Sequence, residues 1–481
     1  MQEISFCQYL HNDIIINSSQ SKIINYNGLI IVVRPDIGAW SVLDKKSKII
    51  LDVLSNGISF YNLKEITSST LNEVLLYKIL DNLFFSGIID IDGKNSFYDE
   101  KKIDLFAGKP KVLVLKYTKG CNLKCEYCYD YIKESFKHLP SEYIVKMVNL
   151  MQKSYGKEDM TLIFHGGEPL MRFQDLKNEL EILKKQNDNL GFSLQTNATL
   201  ITEDVAKYLT KEKICVGISI DGVDSESNKL RLLKNNISSH NLTIKGIENL
   251  IKAGYDDIGI STVITKANHK NLVSLLTVLS EKGIKNFNFL DYFPAGRGKW
   301  KKDELSLSFE ENLKLKKNIL LFLNDFNEGK SKEKCIYERQ MSQLIIHIVQ
   351  WGSNYMCAQS PCGAGRRILA LDTDGTIYPC DEFISEEKEF AIGNVNEIVD
   401  LDFTLKNSTV INKCLNHRIE NIKECSKCMW RKLCPYHCAG NTFFFKGELN
   451  KPTSKCSFYK IFIPTIIELL YKKRIKYENF T

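Results

Sequence analysis

The chain has 481 residues, 43% of them hydrophobic; that is ample for packed cores and more than one domain normally holds, so two or three domains are expected. A formal charge of +7 is spread over many lysines, and basic excess alone does not argue a nucleic-acid partner. The chain opens Met-Gln-Glu-Ile without a basic, apolar leader, and no apolar stretch is long enough to span a bilayer. A cytoplasmic, reducing setting without a membrane partner is therefore expected, and fifteen cysteines at short spacings there point to metal ligation rather than disulfides.

In chain order, Ile14 to Ile16, Leu29 to Val33 and Trp40 to Leu43 read as short strands. Amphipathic helices follow near Lys48 to Leu54 and Leu71 to Phe85, then Ile88 to Ile91. Three strands followed by helices over residues 1–105 resemble the small winged-helix-like module that recognises precursor peptides. The resemblance implies a leader peptide added as a strand against a sheet edge and a helix. A nucleic-acid winged helix is the alternative, but Asp36, Asp44, Asp52 and Glu65 interrupt any basic patch.

From 109 to 300 strand-like and helix-like segments alternate. Strands are expected at Val112 to Tyr117, Thr161 to His165, Phe192 to Thr196, Cys215 to Ile220, Ile258 to Ile264 and Phe287 to Asp291. Helices are expected at Ser141 to Ser154 with Ser141 as N-cap, Glu203 to Thr210, Thr243 to Ala253 and Asn271 to Lys282. Such alternation predicts an α/β fold with a parallel sheet, arranged as an open, partial TIM-type barrel that gathers ligands at the C-terminal strand ends.

Just past the first strand stand Cys121, Cys125 and Cys128 in Gly-Cys-Asn-Leu-Lys-Cys-Glu-Tyr-Cys-Tyr. Three thiolates around one iron-sulfur cube leave one iron open to a small molecule, whereas four would close it. A zinc site is the competing reading, although His138 is the nearest histidine. The CxxxCxxC run with its aromatic insert resembles the signature of radical SAM enzymes. Membership would imply a 4Fe-4S cluster whose open iron binds S-adenosyl-L-methionine, and release of a 5'-deoxyadenosyl radical that abstracts hydrogen from substrate. Gly166, Gly167, Glu168 and Pro169, just past the second strand, match the family motif for the methionine amino group. By the same resemblance Gln195, Thr196, Asn197, Ser219, Asp221, Gly222 and Val263 supply ribose, carboxylate and adenine contacts. Arg231 would pair with the methionine carboxylate, and Tyr127 would lie beside adenine.

Beyond a helical linker at 301–355, residues 356–460 carry Cys362, Cys380, Cys425, Cys428, Cys434, Cys438 and Cys456, ahead of a C-terminal helix and tail at 461–481. These seven resemble the SPASM extension of radical SAM peptide maturases, which implies two auxiliary 4Fe-4S clusters. Cys425, Cys428, Cys434 and Cys456 would hold the outer one; Cys362, Cys380 and Cys438 would hold the inner one. Cys357 is expected to close the inner cluster, the alternative being an iron open to substrate sulfur. A zinc ribbon of Cys425, Cys428, Cys434 and Cys438 is the competing reading. Asp381 follows Cys380 as an aspartate does in anaerobic sulfatase-maturating enzymes, implying a proton acceptor; a solvated loop acid beside Glu382 is the bland alternative. Cys215 reads as a buried structural thiol, and Cys7, Cys335 and Cys414 have no spacing partners.

The expected function is a radical SAM, SPASM-type oxidoreductase that cross-links a ribosomal peptide through a thioether or carbon-carbon bond. Its partners would be a precursor peptide bound through its leader and a flavodoxin- or ferredoxin-type reductant. The alternatives are a formylglycine-generating sulfatase maturase and a non-catalytic iron-sulfur carrier or scaffold.

Overall fold

The structure is a computed structural model that describes residues 11–18, 20–95, 108–130, 137–350, 355–385, 388–435 and 438–481. Cys7 lies outside the described residues.

The N-terminal region holds β1 (Ile15–Asn17) and an antiparallel meander of β2 (Lys22–Tyr26), β3 (Leu29–Arg34) and β4 (Ala39–Leu43), followed by α1 (Lys45–Val53). Next come β5 (Ile58–Ser59), α2 (Phe60–Thr67), α3 (Glu73–Phe85) and β6 (Asp90–Ile91), with β1 paired between β5 and β6. The sequence expectations include neither β2, β5 nor α2. A signal for β2 was present: Asn27-Gly28 is a two-residue hairpin turn, with φ of 46° and 80°. The period-two alternation of β3 gives the meander two buried faces. Val32 packs with Leu51, Leu54 and Leu80, while Ile31 and Val33 join the main core. Trp40 Nε1 donates to Ile348 O at 2.9 Å and Tyr26 Oη lies 2.7 Å from Thr465 Oγ1, so the module is bolted to the body.

The body is built on one ten-stranded sheet. Strands β7 (Val112–Thr118), β8 (Met160–Gly166), β9 (Leu190–Thr196), β10 (Cys215–Ser219), β11 (Ile258–Ile264) and β12 (Asn286–Asp291) run parallel in chain order, as the alternation predicted. Crossover helices α4 (Ser141–Tyr155), α5 (Phe173–Gln186), α6 (Glu203–Lys211), α7 (His240–Lys252) and α8 (Leu272–Glu281) cover the outer face. Ser141 is not the N-cap of α4: Pro140 takes that place, and the Ser141 hydroxyl donates to Glu179 Oε1 at 2.7 Å. Helix α7 starts at His240, three residues before the expected Thr243. On the strands, Leu162, Phe164, Phe192, Leu194, Ile218 and Phe289 are buried beneath the helices, each fully buried side chain contributing roughly 1.5–3 kcal/mol. Their neighbours His165, Ser193, Gln195, Gly217, Ser219, Ser261 and Asn288 line the interior.

The sheet does not end with the six strands. β13 (Tyr337–Glu338) adds to β12, and on the far side β14 (Ile368–Leu371) pairs in parallel with β7, followed by antiparallel β15 (Thr376–Tyr378) and β16 (Gly393–Asn394). The cysteine-rich C-terminal region therefore grows from the barrel's own first strand. Its last helix, Cys456–Tyr471, returns to the common core through Phe462, Ile463 and Ile466. No described helix is long and apolar enough to cross a membrane.

Candidate active site

The C-terminal strand ends open into a cavity of about 840 Å³. Cys121, Cys125 and Cys128 line it on the loop after β7. Burial pushes the Cys121 and Cys128 thiols up to about 12, and raises Cys125 as well, so a bound cation is needed to hold them as thiolates.

The loop's first end is gripped by the Gly-Gly-Glu-Pro run. Gly167 N donates to Thr118 O and Glu168 N to Gly120 O, both at 2.7 Å. A Cβ on Gly167 would overlap Gly120 O, so the glycine is required by the cysteine loop itself. Glu168 is fully buried; its carboxylate accepts from Leu170 N at 3.0 Å, Thr196 Oγ1 at 2.7 Å and Asn197 N at 2.8 Å. It thereby ties the β8 and β9 ends together behind the cavity wall, with Pro169 beside it.

Tyr127, Asp221 and Arg231 form a buried triad. The Tyr127 hydroxyl donates to Asp221 Oδ2 at 2.7 Å and accepts from Arg231 Nη1 at 2.8 Å. Burial raises the Asp221 carboxyl to about 6 against the opposing charge of Arg231. Among the described residues, Arg231 Nε has no hydrogen-bond partner, and Arg231 lines the cavity, an arrangement that fits a ligand carrying an acceptor. Tyr127, Gly166, Gly167, Thr196, Asn197, Ser219, Arg231 and Val263 line the cavity, whereas Glu168, Pro169 and Asp221 do not.

Asp381, Glu382 and Cys438 line the same cavity. Tyr129, next to Cys128, donates to Asp381 Oδ2 at 3.2 Å. Lys116, wholly buried on β7, lies 3.2 Å from both Tyr129 Oη and Asp130 Oδ2. Burial favours a neutral Asp381, but the charge of Lys116, helped by His165, holds its carboxyl below the usual range. Burial and the Asp381 charge push Glu382 upward. Asp381 is half-buried at the cavity wall, where it accepts from Tyr129 and faces the charge of the buried Lys116. The sequence motifs assign no site role to Lys116, Tyr129, His165 or Glu382, although a lysine inside Val-Leu-Val-Leu-Lys-Tyr-Thr is a legible sign of a buried charge.

Cys357 is within electrostatic reach of Cys362, Cys380 and Cys438, which brings the four expected inner ligands together. Cys425, Cys428, Cys434 and Cys456 line a separate pocket with Trp430 and Tyr459. Among the described residues, no group of three His, Cys, Asp or Glu side chains is gathered as for a single metal ion. Cys215 corrects the sequence reading: it is exposed and lines the cavity. It opens β10 in phase with Gly217 and Ser219, while Ile214, Val216 and Ile218 take the buried positions. Cys414 is buried beside Cys362, and the Cys335 thiol donates to Ser331 O at 3.4 Å.

A parallel α/β half-barrel with three cysteines at its mouth and two further cysteine sets defines an iron-sulfur enzyme class. The family model described as the Radical SAM superfamily matches residues 115–286, and the SPASM iron-sulfur cluster-binding domain matches residues 362–429. Uncharacterized protein MJ0907 of Methanocaldococcus jannaschii is 30% identical over 260 residues, covering 51% of this chain and 84% of that protein. The cysteine-type anaerobic sulfatase-maturating enzyme of Clostridium perfringens (strain 13 / Type A) is 27% identical over 347 residues, covering 68% and 88%. Among solved structures, anSMEcpe with bound AdoMet has a TM-score of 0.64 at 24% identity, covering 76% of this chain and 98% of that one. Streptococcus suis SuiB bound to precursor peptide SuiA has a TM-score of 0.56 at 17% identity, covering 91% and 98%. The chain belongs to the radical SAM superfamily and carries a SPASM domain. It is an enzyme whose cofactors are iron-sulfur clusters and S-adenosyl-L-methionine.

Proposed function

We propose that the enzyme modifies a ribosomal precursor peptide, forming a thioether or carbon-carbon cross-link. The observation that carries this reading is a single cavity lined by the Cys121–Cys125–Cys128 loop and also by Asp381, Glu382 and Cys438. When bound, the cluster and S-adenosylmethionine supply hydrogen abstraction there. Arg231 and Tyr127 orient the methionine and adenosine ends, and Asp381, held ionised by Lys116, takes the proton of the reacting side chain. Cys357, Cys362, Cys380 and Cys438 hold an inner auxiliary cluster; Cys425, Cys428, Cys434 and Cys456 hold an outer one. These clusters accept the electron released as the new bond forms.

The docked N-terminal region supports a peptide substrate, since the likeness to SuiB extends over 91% of this chain against 76% for the sulfatase-maturase structure. Leader binding falls to that region, a flavodoxin- or ferredoxin-type protein supplies electrons, and the setting is the cytoplasm. A second reading, oxidation of a Cys or Ser to formylglycine, is favoured by Asp381 directly after Cys380 and by the sulfatase-maturating relative. Reconstituted enzyme, S-adenosylmethionine and the peptide encoded beside its gene separate the two by mass spectrometry. Loss of two hydrogens with a linked fragment supports the cross-link; an aldehyde on a sulfatase-type peptide supports formylglycine. Absence of 5'-deoxyadenosine with a competent reductant would defeat both.

A further inference from the structure

The cysteine loop is gripped at its second end as well, by a segment to which no role has yet been assigned. Between β12 and the helix Phe309–Asn327, the turn Gly296–Trp300 and Lys301 lie directly against the loop. Gly296 holds φ of 53°, and a Cβ there would stand 2.6 Å from Cys128 O and closer still to Tyr129 O. Arg297 N donates to Cys128 O at 2.9 Å, and its guanidinium Nη1 donates to Cys125 O at 2.6 Å. Gly298 would place a Cβ 3.1 Å from Tyr127 O, and Lys301 pairs with Glu126. Every residue from Cys125 to Tyr129 therefore meets this segment.

We propose that Gly296–Lys301 is a second clamp on the iron-sulfur loop, in which Arg297 is the positioning residue that seats Cys125 and Cys128 and sets the charge beside the cluster. The proposal rests on the reading that Cys121, Cys125 and Cys128 hold a cluster. Two physical effects follow from the geometry. A charge-assisted hydrogen bond restrains the backbone of a ligand residue, which slows loss of iron. A fixed guanidinium beside a thiolate favours the more negative, reduced cluster, which raises its reduction potential.

The test uses the full reconstituted chain and the variants R297K, R297Q, R297A and G296A, with C125A as control. Iron release to a chelator is timed. The potential is read with dithionite as the one-electron donor, from the paramagnetic resonance signal that changes when S-adenosylmethionine is added. We expect R297A and G296A to release iron about tenfold faster, the scale of one charge-assisted hydrogen bond. R297Q and R297A should lower the potential, and R297K should restore it. Wild-type release from both R297A and G296A overturns the clamp, and one potential shared by R297K, R297Q and R297A overturns the charge effect. Survival of the responsive signal in C125A would instead defeat the reading that these cysteines hold the cluster.

Discussion

The hydroxyl of Tyr129 donates to Asp381 Oδ2 at 3.2 Å, although 252 positions separate the two residues. That bond joins the cysteine loop after β7 to the turn after Cys380, so the two modules share one charge network around the buried Lys116. Substituting Asp381→Asn keeps the shape and removes the proton acceptor. Peptide turnover should fall by about 10²–10⁴-fold while iron content and cleavage of S-adenosylmethionine persist. Parallel assays of peptide product and 5'-deoxyadenosine check this, and equal loss of both would remove Asp381 from the proton step.

Lys116 is the cation that balances Asp130 and Asp381 inside the barrel. Lys116→Met leaves buried carboxylates without a counter-charge, at a cost of about 3–5 kcal/mol. Anaerobic denaturant melts of wild type and variant measure it; unchanged stability would mean that water reaches this network.

Gly167 has no room for a side chain against Gly120 O. Gly167→Ala should displace the root of the cysteine loop, costing on the order of 1–3 kcal/mol and lowering iron bound at the first site. Iron analysis beside a thermal melt reads both effects, and a variant with full iron and wild-type melting would show that the loop yields freely.

His347 Nε2 donates to Lys432 O at 3.0 Å, and burial lowers its pKa to about 4 from the ordinary 6.5. The unfolded chain binds this proton first, so the contribution is complete above pH 6.5 and is lost as the pH falls toward 4. The size is on the order of 3 kcal/mol. His347→Gln can keep a donor toward Lys432 O without titrating. Its stability should therefore change less than that of wild type between pH 7 and 5, and identical slopes would exclude His347 as the source.

Cys425→Ala should empty the outer pocket alone. With three 4Fe-4S clusters, bound iron should drop from about twelve to about eight atoms per chain. A fall to about four would indicate that the two auxiliary sites fill together.

The radical SAM assignment and the six-stranded parallel core were legible in the sequence because each rests on local spacing or periodicity. CxxxCxxC lies on one loop, and the alternation of β8 to β12 separates helix-facing from cavity-facing residues without reference to anything distant. Contacts between remote segments could not be read that way. Arg297 reaches Cys125 across 172 positions, and β14 joins β7 although about 250 residues lie between them. The exposure of Cys215 depended on strand phase, and the value of Asp381 depended on a lysine from β7. Spacing along the chain determined which residue types could bind iron and start the chemistry. Only tertiary packing decided which charges face one another and which glycines must stay small, because burial and close approach are properties of segments that meet in space.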